Sequence, residues 1–175
     1  MNDHATTLSP ARRLALDILL DVGQRDAFAR DVMNANTLLK NLDERDAGFT
    51  RRLVLGVTAT SGCLDDFLQQ CSDPKTRFNP RVRCALRIAL FELLYLDAPA
   101  NVAVSQGVEL VRSQSRGAAG LANAVLHRAV SNRSSFRDAE GVDPVHARIV
   151  SLARTSGTPV WLARRIEDSL GQDAA

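Results

Sequence analysis

Apolar residues recur at helical spacing along most of this 175-residue chain. The first such segment opens with Ser9, a residue type that caps helices, and with Pro10, which favours the first helical position. Its apolar positions follow at intervals of four: Leu14, Ile18 and Val22. This spacing places them on one face, and the pattern predicts a helix that ends at Gly23.

Two further segments repeat this pattern in the first half of the chain. A helix is predicted near residues 26–39, with four residues facing inward: Phe28, Val32, Ala35 and Leu39. A longer helical stretch is predicted over 43–71, with Asp43 as its cap and a possible break at Ser61-Gly62. Its apolar residues again recur on one face: Phe49, Leu53, Val57, Leu64 and Leu68.

The most apolar segment covers residues 80–96 and follows Asn79, a predicted cap. Its apolar face is wide: Val82, Leu86, Ala89, Leu90, Leu93 and Leu94. A helix with so wide an apolar face is expected to lie largely buried at the centre of the fold. Helices are predicted next over 100–113 and 117–130.

The remaining residues predict a break and two shorter helices. Residues 131–143 are polar, and helical spacing resumes over 144–154 and 159–170. Because no segment shows the alternation of a strand, the sequence predicts an all-α bundle of seven to eight helices. Residues 9–133 are expected to form its body, and residues 143–171 a helical connector.

The charge distribution is uneven. Residues 79–137 hold eight arginines against three acidic residues, a net charge of +5, whereas residues 1–78 carry −1 and residues 138–175 carry −2. Only two of the 22 basic residues are lysines. A concentrated basic region on a helical scaffold favours a phosphate-bearing partner. The alternative is a solvated face in a protein whose genome favours arginine codons.

Other kinds of site find little support. No run approaches the ~20 apolar residues that cross a bilayer, and the first residues do not resemble a secretory signal. The spacings of Cys63, Cys71 and Cys84 match no zinc or redox motif, so reduced thiols in a cytoplasmic protein and no metal site are expected. Without a glycine-rich loop after a strand, no catalytic residue and no cofactor site are expected in these residues.

Three segments carry a resemblance to a known family: SPARRLALDILLDV, LDERDAGFTRRLVLGV and NPRVRCALRIALFELLYLDAPANVAVSQGVELVRSQSRGAAGLANAVLHRA. They resemble the NusB-like RNA-binding domain. The resemblance is closer to the form at the N-terminus of RsmB (Sun, Fmu) 16S rRNA cytosine-C5 methyltransferases than to the free-standing antitermination factor. The segment SLARTSGTPVWLARRIEDSLG is similar to the one that leads into the catalytic part of those enzymes.

The resemblance implies an RNA ligand, expected to be ribosomal RNA. By the family's basic N-terminal segment it assigns RNA contacts to Arg12 and Arg13. The charge asymmetry adds five further candidates: Arg81, Arg83, Arg112, Arg116 and Arg128. The S-adenosylmethionine site and catalytic cysteines of the family belong to a methyltransferase domain that these residues do not contain. Asn101 and Ser105-Gln106 depart from the family's usual residues.

Two other functions are compatible with the same sequence. A stand-alone NusB-like protein would act in transcription antitermination, beside a ribosomal protein of the S10 type. A helical protein-interaction module would keep the fold without RNA affinity. Trp161, the only tryptophan, is predicted either to pack on the bundle or to belong to an interface with a methyltransferase domain.

Overall fold

The computed structural model describes residues 7–138 and 144–170, and these form ten α-helices without a strand. The helices are, in chain order, α1 (Pro10–Arg25), α2 (Ala29–Ala35), α3 (Thr37–Asn41), α4 (Glu44–Gln70), α5 (Pro80–Tyr95), α6 (Ala100–Gln114), α7 (Ala119–Ser131), α8 (Arg133–Asp138), α9 (Pro144–Ser156) and α10 (Val160–Leu170). The predicted all-α class is confirmed, with more helices than the seven or eight expected.

Helix α5 lies at the centre of the bundle, as predicted. It packs against α1, α4, α6 and α7. Leu86, Leu90 and Leu93 are fully buried on it. Burying one leucine side chain contributes about 1.5–3 kcal/mol, so this helix supplies much of the apolar stabilisation of the core.

Two glycines let neighbouring helices approach α5 closely. A Cβ at Gly56 on α4 would lie 2.0 Å from Cζ of Phe91, and one at Gly107 on α6 would lie 2.6 Å from Cβ of Ala89. Both distances are shorter than van der Waals contact. A side chain at Gly107 would clash with Ala89 and Leu126, and one at Gly56 would displace the end of the Phe91 ring, so the present packing requires glycine at both positions.

The helix boundaries follow the predicted caps in most places. The carboxylate of Asp43 accepts a hydrogen bond from the backbone N–H of Asp46 at the start of α4 (2.8 Å), and Asn79 caps α5 in the same way. The predicted end of α1 at Gly23 is wrong. The helix continues to Arg25, and Asp26 ends it in the left-handed conformation with φ 49°.

The predicted helix over 26–39 is two helices, α2 and α3. Asn36 between them has extended backbone, and its side chain accepts a hydrogen bond from the N–H of Leu39 (2.9 Å). Because the chain changes direction there, the four expected inward residues do not share one face. Leu39 is buried with Val32, whereas Phe28 is 83% exposed and Ala35 is exposed as well.

No break occurs at Ser61-Gly62, where α4 continues as one helix of 27 residues. Gly62 is exposed, and a helical glycine costs about 1 kcal/mol relative to alanine. The next two residues, Cys63 and Leu64, are buried in the core. Their packing offsets the weak helical preference of the glycine.

The polar segment 131–143 contains a helix, α8, that its composition did not predict. Helix α8 carries Phe136, which is buried with its ring 5.0 Å from that of Phe67 and 5.8 Å from that of Tyr95. Arg154 of α9 donates a hydrogen bond to the backbone carbonyl of Phe136 (3.0 Å). Residues 139–143 and the predicted connector end at Gly171 lie outside the described residues. The division into 9–133 and 143–171 stays a prediction.

Candidate nucleic-acid interface

The start of α1 is fixed to the bundle by a buried amide. The side-chain oxygen of Gln106 on α6 accepts a hydrogen bond from the N–H of Ser9 (2.9 Å), and its nitrogen donates to the carbonyl of Thr7 (3.1 Å). Ser9 occupies the predicted cap position, but its hydroxyl makes no capping bond. Gln106 thus holds the segment that leads into α1.

Arg12 points into the bundle. Its guanidinium donates two hydrogen bonds to the carboxylate of Glu92 (2.8 and 2.5 Å) and lies over the Phe49 ring, 5.0 Å from its centre. Glu92 on α5 is only 2% exposed. A buried carboxylate persists when a cation with good geometry compensates it. Arg12, predicted as an RNA contact, therefore has a structural role in the described fold.

Arg13 points outward into a cleft between α1 and the end of α6. This α1/α6 cleft has a volume of about 310 Å³ and is lined by Leu8, Arg13, Glu109, Arg112, Ser113 and Arg116. Arg112 forms an ion pair with Glu109. Arg13 and Arg116 are exposed and have no ion-pair partner among residues 7–138 and 144–170. Their guanidinium groups are therefore available to bind an anion.

Arg81 extends the same surface. Its guanidinium lies 3.5 Å from the side-chain oxygen of Gln114, at the end of α6. Asp17, one turn after Arg13 on α1, interacts electrostatically with both Arg13 and Arg81. Partial burial raises the pKa of Asp17, while the two arginine charges act to lower it. Four of the predicted arginines therefore belong to this surface: Arg13, Arg112 and Arg116 line the α1/α6 cleft, and Arg81 lies beside it.

Arg83 and Arg128 do not join this group. Arg128 donates to the carbonyl of Cys71 at the end of α4 (3.4 Å), and Arg83 is half-buried on α5. Neither residue lines the α1/α6 cleft. The seven predicted arginines therefore separate into a surface group, one internal residue and two outlying residues.

Two arginines that the sequence analysis did not select lie on the other side of α1. Arg45 and Arg52 of α4 line a cleft of about 700 Å³ between α1 and α4, together with Ser9, Pro10, Arg12, Asp46, Gly48 and Phe49. Net charge did not indicate them, because the acidic residues of 1–78 outnumber the basic ones by one. Their spacing of seven, with Phe49 between them, places them on one helix face and is the signal that would have identified them.

The cysteines lie in the core. Cys63, Cys71 and Cys84 are buried and unpaired, and burial raises the pKa of Cys71 and of Cys84 to about 11. A thiol with so high a pKa is a poor nucleophile at neutral pH. Across the described ranges, no helix has the length and apolar content needed to cross a membrane.

The all-α fold and the arginines around the α1/α6 cleft define a class of small, basic helical bundles. Comparison with known proteins identifies the family. The model of the NusB family matches residues 9–131. The chain belongs to the NusB family. NusB from T. maritima has the same fold, with a TM-score of 0.61 and 21% identity over 71% of this chain and 93% of that one.

Two kinds of relative match this chain over different lengths. The probable ribosomal RNA small subunit methyltransferase B of Synechocystis is 32% identical over 165 residues, 93% of this chain. A putative methyltransferase of Mycobacterium tuberculosis is 31% identical over 168 residues. The chain spans about a third (36%) of the length of each, in their N-terminal parts. The transcription antitermination protein NusB of Pseudarthrobacter chlorophenolicus is 37% identical over 108 residues, 60% of this chain and 78% of that protein.

Proposed function

We propose that this chain is the RNA-binding, N-terminal domain of an RsmB-type rRNA cytosine-C5 methyltransferase. Its RNA ligand contacts the α1/α6 cleft through Arg13 and Arg116, with Arg112 and Arg81 beside them. S-adenosylmethionine and the catalytic groups belong, in this proposal, to a domain that follows these residues.

The observation that supports RNA binding is that two exposed arginines, Arg13 and Arg116, line one cleft without an ion-pair partner among the described residues. Arginine guanidinium groups bind phosphate oxygens through two parallel hydrogen bonds, and they hold their charge at all physiological pH values. In the same cleft Glu109 forms an ion pair with Arg112, whereas Arg13 and Arg116 have no ion-pair partner among the described residues and remain available to an anion.

The C-terminal helices support the methyltransferase assignment. The family model ends at residue 131, before α9 and α10, whereas the methyltransferase relatives match 93–94% of the chain. Trp161 on α10 is 65% exposed, and Leu170 on the same helix is exposed too. Exposed apolar side chains on a helix beyond the residues that the family model matches support a connector toward a further domain.

RNA binding is tested by fluorescence anisotropy with a labelled small-subunit rRNA fragment at about 50 and 200 mM salt, where phosphate contacts produce a strong salt dependence. Arg13→Ala/Arg116→Ala should bind at least ~10-fold more weakly than the parent. The control is Arg30→Ala/Arg77→Ala, an equal charge change at two exposed arginines that line neither the α1/α6 cleft nor the cleft between α1 and α4. Equal affinity of both variants would remove the cleft from the proposal.

The enzyme assignment has a separate test. The gene sequence beyond the codon for Ala175 should continue into a domain with a glycine-rich nucleotide-binding loop. A purified protein including that domain should bind S-adenosylmethionine in calorimetry, while residues 1–175 should not.

A free antitermination protein is the second candidate, because the NusB relative has the higher identity, 37% against 32%. It predicts binding to a leader RNA that a ribosomal protein of the S10 type strengthens. A stop codon directly after Ala175 combined with such cooperative binding would favour it over the methyltransferase assignment.

A further inference from the structure

The cleft between α1 and α4 has the features of a second ligand site. Its volume of about 700 Å³ lies within the ~300–1,000 Å³ of typical ligand pockets. Arg45 and Arg52 line it, both exposed and without an ion-pair partner in the part of the chain that the structure describes. It lies across α1 from the α1/α6 cleft.

From this arrangement we propose that the α1/α4 cleft holds a nucleotide of an unpaired RNA segment whose neighbouring phosphates lie in the α1/α6 cleft. The proposal rests on the proposed RNA-binding function and extends it to a defined subsite. The strand would pass over the start of α1, where Ser9 and Pro10 line one cleft and Leu8 and Arg13 line the other.

Flat groups in the cleft favour a nucleobase over a bare phosphate. The Arg12 guanidinium and the half-buried Phe49 ring lie against each other 5.0 Å apart, and both line the cleft. Glu92 fixes Arg12 by two hydrogen bonds, so this surface is rigid before any ligand binds. Unpaired RNA bases stack on aromatic rings and guanidinium planes in proteins, whereas bases within a duplex are not available for such contacts.

The charged residues of the cleft suit the rest of a nucleotide. Arg45 and Arg52 stand one on each side of Phe49 along α4, which suits one phosphate on either side of a base. Asp46 also lines the cleft, and its carboxylate would repel a free phosphate. The same carboxylate accepts hydrogen bonds from a ribose hydroxyl or a base amine, which only a nucleoside provides.

Gly48 allows the cleft to be filled without disturbing the fold. It lines the cleft, and a Cβ at this position would meet no atom within 4 Å. Gly48→Leu should therefore fold normally and gain helix propensity while its side chain occupies the cleft. Gly62→Leu is the matched control, because Gly62 lies on the same helix, is equally open and is about 21 Å away along its axis.

The experiment measures binding of a labelled, short single-stranded RNA by anisotropy, with circular dichroism of every variant. Gly48→Leu should lower the affinity at least ~10-fold while Gly62→Leu stays within ~2-fold of the parent. Arg45→Ala/Arg52→Ala should also weaken binding and reduce the slope of log affinity against log salt by about 1.4, or about 0.7 for each lost contact. Arg30→Ala/Arg77→Ala again controls for charge.

Several results would overturn the subsite. If Gly48→Leu binds like Gly62→Leu, the cleft is not occupied, even when the arginine variant is weaker through long-range attraction. Equal displacement of the RNA by poly-glutamate at matched charge would indicate an acidic protein partner instead. If Arg13→Ala/Arg116→Ala weakens binding and the α4 variants do not, RNA binding stands and the subsite fails; a parent without RNA affinity refutes both.

Discussion

The inner and outer sides of the first turn of α1 use the same residue type for opposite purposes. On the inner side, Arg12 is bound to a buried carboxylate and lies on an aromatic ring. On the outer side, Arg13 faces a cleft with a charge that no ion pair neutralises in the described residues. The two adjacent arginines thus differ in what compensates their charge: Arg12 is held by the buried carboxylate of Glu92, whereas Arg13 keeps its charge available to an anion.

The largest expected effect comes from breaking the inner pair. Arg12→Ala leaves Glu92 as an unpaired buried charge and should lower the free energy of unfolding by about 3–5 kcal/mol. Urea denaturation followed by circular dichroism measures this loss. Arg13→Ala, as the outer counterpart, should change the same quantity by less than about 0.5 kcal/mol.

The double variant Arg12→Met/Glu92→Met sharpens this result. Replacing both partners of a buried pair by apolar residues is often neutral or stabilising, so most of the lost stability should return. A double variant as unstable as Arg12→Ala would contradict the ion-pair explanation and would indicate that the packing of Arg12 on Phe49 matters more.

The centre of the bundle should show a loss of similar kind through packing alone. Leu90→Ala removes a fully buried side chain and should lower the free energy of unfolding by about 2–5 kcal/mol. Leu121→Ala on α7 is the surface control, since that leucine is exposed. Equal losses at the two positions in thermal and urea unfolding would contradict the assigned core.

The buried thiols predict a pH dependence that surface cysteines would not give. Burial raises the pKa of Cys71 and Cys84 from 9.0 to about 11, so the folded state holds these protons more tightly than the unfolded state. Their contribution to stability is complete below pH 9 and is lost as the pH rises from 9 to about 11. Cys71→Ala/Cys84→Ala should flatten the unfolding free energy over that interval, and an unchanged profile would speak against the assignment.

The smallest effect on stability is expected at Trp161. Because its side chain is largely exposed, Trp161→Ala should change the free energy of unfolding by less than about 0.5 kcal/mol. Its fluorescence should be red-shifted and readily quenched by acrylamide in residues 1–175, and blue-shifted in a protein that includes a following domain. Blue-shifted, protected emission from residues 1–175 alone would rule out the proposed interface.

Helical periodicity predicted most of the fold because the core helices have regular apolar faces. Helices α1 and α4–α7 were found, with the burial of Leu90 as expected. The missed features depend on single residues. Asn36 redirects the chain between α2 and α3, and Phe136 anchors a helix in a segment whose composition is polar.

The candidate site was predicted less completely, since contacts between distant residues decide it. Net charge along the chain indicated Arg112 and Arg116, and the family resemblance indicated Arg13; the fold brings all three into one cleft. It did not reveal that Glu92, counted among the three acidic residues of that region, lies buried beneath Arg12. A polar residue in the middle of the most apolar helix was the available signal, because such a residue requires a partner.

The Arg12–Glu92 pair also constrains how the chain acquires its shape during synthesis. The two residues are 80 positions apart, so at ~5–20 residues per second the ribosome adds Glu92 roughly 4–16 s after Arg12. Throughout that interval α1 has no acidic partner from α5, and its inner face is incompletely covered. The first helix made is thus among the last to be locked in place, when α5 and then the amide of Gln106 emerge.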